Sequence, residues 1–321
     1  MRLSAFGMLS LAILASLPVL QAKAQERERA PLRLVVPYAA GGTTDYVARL
    51  LQKPLGEFLK QTVIVENRPG AAGTIGTDNV AKAPADGNTL LFGNQGPNAL
   101  VPTLRKTPYD ALNDLRPLTT IAFMPLVLMT SAEKGHRSLE LLLQQARKPG
   151  ANVNYGSSGI GSLAHLTAVE FSRRGKLEMT HIPYQGGSQV ATGLLQGDIQ
   201  CSFATSLESA SMVRSGRMRV LGVAAAHRVP SMPHIPAIAE VLPGFESVLW
   251  FAAFAPKGTR DEDAIRLRDA LVKAVESSDF RRYLAENHAE AKASTPEQLT
   301  QLIQRDMRHW ADVARTARVA M

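Results

Sequence analysis

The sequence holds one cysteine in 321 residues. A single thiol excludes a disulfide framework and any cysteine-built metal cluster. The histidines, His136, His165, His181, His227, His234, His288 and His309, are scattered without metal-ligand spacing, so no bound metal is expected. Catalytic motifs are missing too. There is no G-x-S-x-G elbow, no H-E-x-x-H and no phosphate loop ending in G-K-[ST]. Aromatic residues make up 6% and do not interleave with the basic clusters Arg27/Arg29, Arg173-Arg174/Lys176 and Arg281-Arg282. That excludes a base-stacking surface for nucleic acid. No repeat or low-complexity segment occurs, and no apolar run beyond the first two dozen residues is long enough to cross a bilayer.

What is present reads as an ordinary globular chain, 45% hydrophobic with a net charge of +8. The mild positive potential attracts small anions. The first residues set the compartment. Met1-Arg2 gives a positive start, Leu3 to Leu20 is almost uncharged, and Ala22-Lys23-Ala24 supplies a small-x-small cleavage pattern. Residues 1–24 are therefore predicted to be a signal peptide cut after Ala24, and the rest a periplasmic protein. In that oxidising compartment Cys201, within an apolar strand pattern, is expected to be a buried thiol or an unpaired one. Export also sets the chain apart from nucleotide cofactors, and no cofactor is expected.

From residue 31 short apolar runs alternate with helical stretches, which predicts right-handed crossovers and mainly parallel sheets flanked by helices. Strands are expected at Leu32–Val36, Val63–Val65, Thr89–Phe92, Leu126–Met129, Val153–Tyr155, Met179–Ile182, Gln200–Phe203, Val220–Val223 and Trp250–Ala255. Thr43 or Thr44 and Ser138 are expected as helix caps. Two long helices should close the chain. One places Ala264, Leu267, Leu271 and Val275 on a face, and the other starts at the capping box Thr295-Pro296-Glu297-Gln298. The natural division is α/β with two domains, residues 25–123 plus 244–321 and residues 124–243, with a ligand cleft between them.

Three segments share one design of strand, glycine turn and helix start: Val36 to Asp45, Tyr155 to His165, and His181 to Ser188. Each points main-chain N–H groups and a helix dipole at one spot, which suits a carboxylate or phosphate. The glycines let a ligand approach the backbone. The hydroxyls of Ser157, Ser158 and Ser162 can add donors. The alternative chemistry is an exported serine hydrolase, with Ser157 or Ser162 as nucleophile and His165 as base. It lacks an evident third residue to orient the histidine.

These segments carry a resemblance. Val36-Pro37-Tyr38-Ala39-Ala40-Gly41-Gly42-x-x-Asp45, Val65-Glu66-Asn67-Arg68-Pro69-Gly70, Asp86-Gly87-x-Thr89-Leu90, Ser158-Gly159-x-Gly161-Ser162-x-x-His165 and Pro183-Tyr184-x-Gly186-Gly187 resemble the Bug family. Its members are extracytoplasmic solute receptors of the tripartite tricarboxylate transporter type. The likeness implies a two-domain, type II-like periplasmic-binding fold that closes on a small mono- or dicarboxylate. Such a receptor serves the membrane subunits of its transporter or a sensor, and is expected as a monomer. It places Tyr38, Ala40, Gly42 and Thr43 on one wall of the cleft and Ser157, Ser162, His165, Tyr184 and Gly187 on the other. Two positions depart from the family. Asn98 stands where many relatives have histidine, and Ala204-Thr205 where many have aspartate. Loss of that carboxylate disfavours a ligand bearing an amino group.

Overall fold

The structure is a computed structural model, and it describes residues 30–316. The expected signal peptide and its cleavage point lie outside the described residues. Among those described, no helix is long and apolar enough to cross a membrane.

The described residues open with β1 (Leu32–Val36), α1 (Thr43–Leu59), β2 (Val63–Asn67), α2 (Thr74–Ala81) and β3 (Thr89–Asn94). A π-turn over Gly96–Leu100 and the short α3 (Val101–Leu104) lead to β4 (Leu115–Ser131). Then follow α4 (Leu139–Ala146), β5 (Val153–Ser157), α5 (Leu163–Gly175), β6 (Met179–Pro183), α6 (Gly187–Gln196), β7 (Cys201–Thr205), α7 (Ser206–Arg214) and β8 (Met218–Val223). The chain returns through β9 (Val248–Pro256), α8 (Asp261–Glu276), α9 (Ser278–Glu286), β10 (Glu290–Ala291) and α10 (Pro296–Thr316).

Where helices separate the strands, pairing is parallel: β1 with β2 and β3, and β5 with β6 and β7. Two antiparallel strands complete the sheets. β9 slots between β3 and the first part of β4, and the second part of β4 slots between β7 and β8. The result is mixed rather than all-parallel, because a strand that runs from one half to the other arrives in the opposite direction. The halves share one order, β2-β1-β3-β9-β4 and β6-β5-β7-β4-β8, and this is the α/β periplasmic-binding architecture expected.

Each sheet is buried on both faces, so its strands read as near-continuous apolar runs. In β1, Leu34 and Val36 face Leu51 and Leu55 of α1 and Leu267 and Leu271 of α8. Val35, one position out of phase, faces Leu299 and Ile303 of α10. Each fully buried leucine contributes roughly 2 kcal/mol. The second half packs Leu128, Tyr155, Phe171, Phe203 and Phe245 together with Cys201. Cys201 is a free thiol, buried, and burial pushes its pKa up to about 12.

The predicted caps at Ser138 and Thr295 form. Ser138 Oγ accepts from Leu141 N–H, and Thr295 and Gln298 bond reciprocally at 2.9 and 3.2 Å. The cap at Thr43 or Thr44 does not. α1 begins after Gly42, which has no side chain to cap with, and the Thr43 hydroxyl is engaged elsewhere. β4 extends to 17 residues, bending through register shifts at Pro117/Thr119 and Thr120/Ala122. The tail holds three helices where two were expected. Ser277, in extended conformation, separates α9 from α8.

Candidate functional site

In open α/β sheets ligands sit outside the carboxyl ends of the strands. Here the ends of β1 and β3 in one half and of β5, β6 and β7 in the other carry all the predicted turns. On the first wall the Tyr38 hydroxyl donates to Asn94 Oδ1 at 3.1 Å. Asn94 Oδ1 also accepts from Gly96 N–H, and its Nδ2 donates to Thr44 Oγ1 at 3.0 Å. Burial pushes the Tyr38 hydroxyl up to about 12, against the lowering effect of Asn94, so it stays a donor. The ring itself remains half-buried at the cleft edge.

The turn Ala39 to Gly42 is exposed, and Asp45 pins it from within. Asp45 is 3% exposed, accepts from Gly41 N–H at 2.9 Å, and receives Arg49 Nε and Asn67 Nδ2 at the same distance. Burial works to raise its pKa, but these bonds prevail and hold the carboxyl below its usual range. Its charge is thus paired with Arg49 and is not aimed at an arriving anion. The Gly41 N–H is spent, which leaves the first-turn N–H groups of α1 as the free donors.

The second wall is built around histidines. His165 Nδ1 accepts from Gly161 N–H at 3.1 Å, and its ring stacks on His181 with centroids 3.9 Å apart. Tyr155 continues the stack, 5.0 Å from His181. Sequence spacing indicated no histidine pair, yet the β5-α5-β6 crossover brings these two together. Because Nδ1 accepts, neutral His165 carries its proton on Nε2. Ser157 is fully buried. Its hydroxyl lies 2.7 Å from His181 Nε2 and donates to Gly159 O, so it holds the loop together instead of facing the crevice. Ser162 Oγ caps α5 by accepting from His165 N–H. Its partner is therefore the main chain of His165, not the imidazole that a serine hydrolase would need.

Tyr184 packs among Ile182, Val190 and Leu194, with its hydroxyl over Gly193 of α6. Gly187 opens α6, and a side chain there would meet nothing within 4 Å. Thr205 caps α7 in a full capping box with Glu208. Its Oγ1 also lies 3.2 Å from Thr43 Oγ1, so the walls meet at this point. Ala204 is half-buried in β7 and packs beside Met129. Asn98 is fully buried beneath the first wall with neither Oδ1 nor Nδ2 bonded. Sequence reasoning missed Asn94 and His181. The parallel register Tyr155↔His181 was the available signal for the second; Asn94 had none beyond its place before a glycine turn.

The profile of the tripartite tricarboxylate transporter family receptor matches residues 47–318. The chain belongs to this family. BugT of Bordetella pertussis is 33% identical to this receptor over 291 residues, 89% of this chain and 88% of BugT. A structure described as Rhodopseudomonas palustris Rpa4515 with adipate superposes with a TM-score of 0.82 at 33% identity, covering 90% of this chain and 98% of that one. MatC from the same organism, with bound malate, superposes at 0.77 and 30% identity, over 88% and 98% of the two chains. The family is one of receptors, and two of the solved structures similar to this chain hold a carboxylate, malate in one and adipate in the other.

The histidine stack gives this receptor a pH limit. Burial, and then the neighbouring His181, lower the pKa of His165 from 6.5 to about 4. Between those values the unfolded chain binds a proton that the folded one refuses, so stability is complete above pH 6.5 and falls as pH drops toward 4. With His165 5% exposed, the loss is roughly 2 kcal/mol. His181, also lowered by burial, acts in the same direction. Urea midpoints at pH 7 and pH 4.5 should differ clearly in the wild type and less in His165→Gln. Equal differences in the two proteins would remove His165 from this role.

Proposed function

We propose that this receptor is an exported, monomeric protein that captures a small mono- or dicarboxylate in the crevice between its halves and presents it to the membrane subunits of a tripartite tricarboxylate-type transporter. The observation that carries this reading is the placement of two uncapped helix starts, one after a glycine turn of each half. α1 follows Gly42 in one half and α6 follows Gly186 in the other, and neither has a side-chain cap. Their first-turn N–H groups are donors that a two-ended acid can bridge. Relatives that hold adipate and malate support the same ligand class.

In this reading Tyr38, Ala40, Gly42 and Thr43 contact the ligand from residues 25–123 plus 244–321, and Ser162, His165, Gly187 and Thr205 from residues 124–243. The Nε2–H of His165 is a neutral donor above its pKa. No wall residue offers an unpaired carboxylate, so an ammonium group finds no partner and amino acids are disfavoured. Micromolar affinity requires about −8 kcal/mol, within reach of several charge-assisted N–H bonds and ring contacts. β4 and β9 form the hinge, and only a ligand touching both walls favours the shut state.

Calorimetry with adipate, malate and a panel of related acids tests the reading, with small-angle scattering at saturation. The expected result is binding of at least one acid together with a smaller radius of gyration. Absence of heat across the panel would reject carboxylate capture; binding without compaction would reject hinge closure alone.

A further inference from the structure

A cavity of about 1160 Å³ opens beside the crossing strands β4 and β9, and none of the wall residues of the crevice lines it. Its floor is aromatic: Trp250, Trp310 and Phe123 line it together with Leu302. Trp250 and Trp310 are almost wholly buried. Polar groups are built into that floor. Asp306 Oδ2 accepts from Trp250 Nε1 at 2.7 Å and from Gln95 Nε2 at 2.6 Å. With its amide nitrogen thus committed, Gln95 keeps Oε1 buried and without a partner, although the residue is only 3% exposed. Buried acceptors are rarely left open, and a hydroxyl donor entering the cavity would satisfy this one.

The rim supplies charge. Arg281 and Lys292 line it as exposed cations, and Arg305 stands 3.8 Å from Asp306. Arg174 and Arg228, also on the rim, are committed to Glu170 and Glu240. Glu246 and Glu290 line the cavity too and offset part of this charge. The lining comes from both halves of the molecule. Ser231, after β8, lies with its Oγ 2.8 Å from Nδ1 of His288, before β10.

We infer that this cavity is a second binding site, separate from the carboxylate crevice, for a flat aromatic acid bearing a hydroxyl. The ring lies against Phe123 and Leu302, the hydroxyl donates to Gln95 Oε1, and the carboxylate meets Arg281, Lys292 and Arg305 at the rim. Placement between the halves links its occupancy to the hinge. The link has a short path, since Asn94 bonds Tyr38 and Thr44 in the crevice while the next residue, Gln95, bonds Asp306 on the cavity floor.

The test uses 4-hydroxybenzoate and the full mature receptor. Trp250 and Trp310 are the only two tryptophans in the chain, so intrinsic fluorescence reports this cavity directly. Saturable quenching is expected, confirmed by calorimetry. Arg281→Glu/Lys292→Glu, at two exposed positions, should weaken the probe by about tenfold or more, because its carboxylate then meets two like charges. Gly187→Glu, which blocks the crevice, should leave the probe's affinity unchanged. Absence of saturable quenching, equal affinity in the double variant, or loss of binding in Gly187→Glu would each overturn the site. Adipate and malate titrated into the double variant read the crevice separately, so failure of one site is not mistaken for failure of the other.

Discussion

A glutamate at position 187 should weaken carboxylate capture about a hundredfold while leaving the fold as stable as before. Gly187 is the first residue of α6, and a side chain there points into open space. An acidic group in a first helical turn favours the helix by roughly 0.3–1 kcal/mol, so the variant should melt no earlier than the wild type. The same charge stands where the ligand's carboxylate would dock. Two like charges about 5 Å apart at an effective dielectric near 20 repel by about 3 kcal/mol, which is a loss of about a hundredfold in affinity. Calorimetry on Gly187→Glu and on Gly187→Gln separates charge from bulk, since the amide has nearly the same size and should retain most of the binding. Full affinity in the glutamate variant would mean that α6 takes no part in holding the ligand.

Replacing Gly76 with alanine should cost the fold about 3 kcal/mol, a large loss for one added methyl group. In most helices that change gains about 1 kcal/mol. Here the new Cβ would sit 2.7 Å from both Arg68 O and Pro37 Cα, and 2.9 Å from Pro37 Cβ. Two of those atoms are backbone and cannot turn aside, so either α2 moves off the sheet or the end of β1 shifts. Pro37 leads directly into Tyr38, and a shift there should also weaken the ligand. Urea unfolding of Gly76→Ala, with calorimetry on the folded protein, measures both effects. A midpoint equal to the wild type would show that α2 packs less tightly than these distances require.

Most of the strands and helices that alternate through the two halves were readable from an apolar period and a glycine or proline near an end; α7 was not, because it follows Thr205 of β7 without a break. The caps at Ser138 and Thr295 were readable because each begins a helix with no competing partner. Thr43 was misread for the opposite reason: its competitor, Thr205, is 162 positions away and enters only when the halves meet. β4 was legible only in part. Pro117 and Pro125 break up a segment that reads as loop, yet register shifts let the strand continue past Pro117. The turns that line the proposed crevice were legible, but the duties of their side chains were not. Ser157 turns inward because His181 reaches it from the neighbouring strand, and Tyr184 leans onto α6 because Gly193 leaves room. Those outcomes depend on parallel register and packing, which no local pattern encodes.

The sharing of β4 and β9 between the halves sets an order of events for a growing chain. Strand β3 meets β4 only through β9, which begins at Val248. A nascent polypeptide that stops short of that residue has the pieces of both sheets and can complete only the second. The first must wait for the last quarter of synthesis, and long-range closure of this kind is slow. If the chain is exported as proposed, such lateness would keep its early part pliable until its far end arrives.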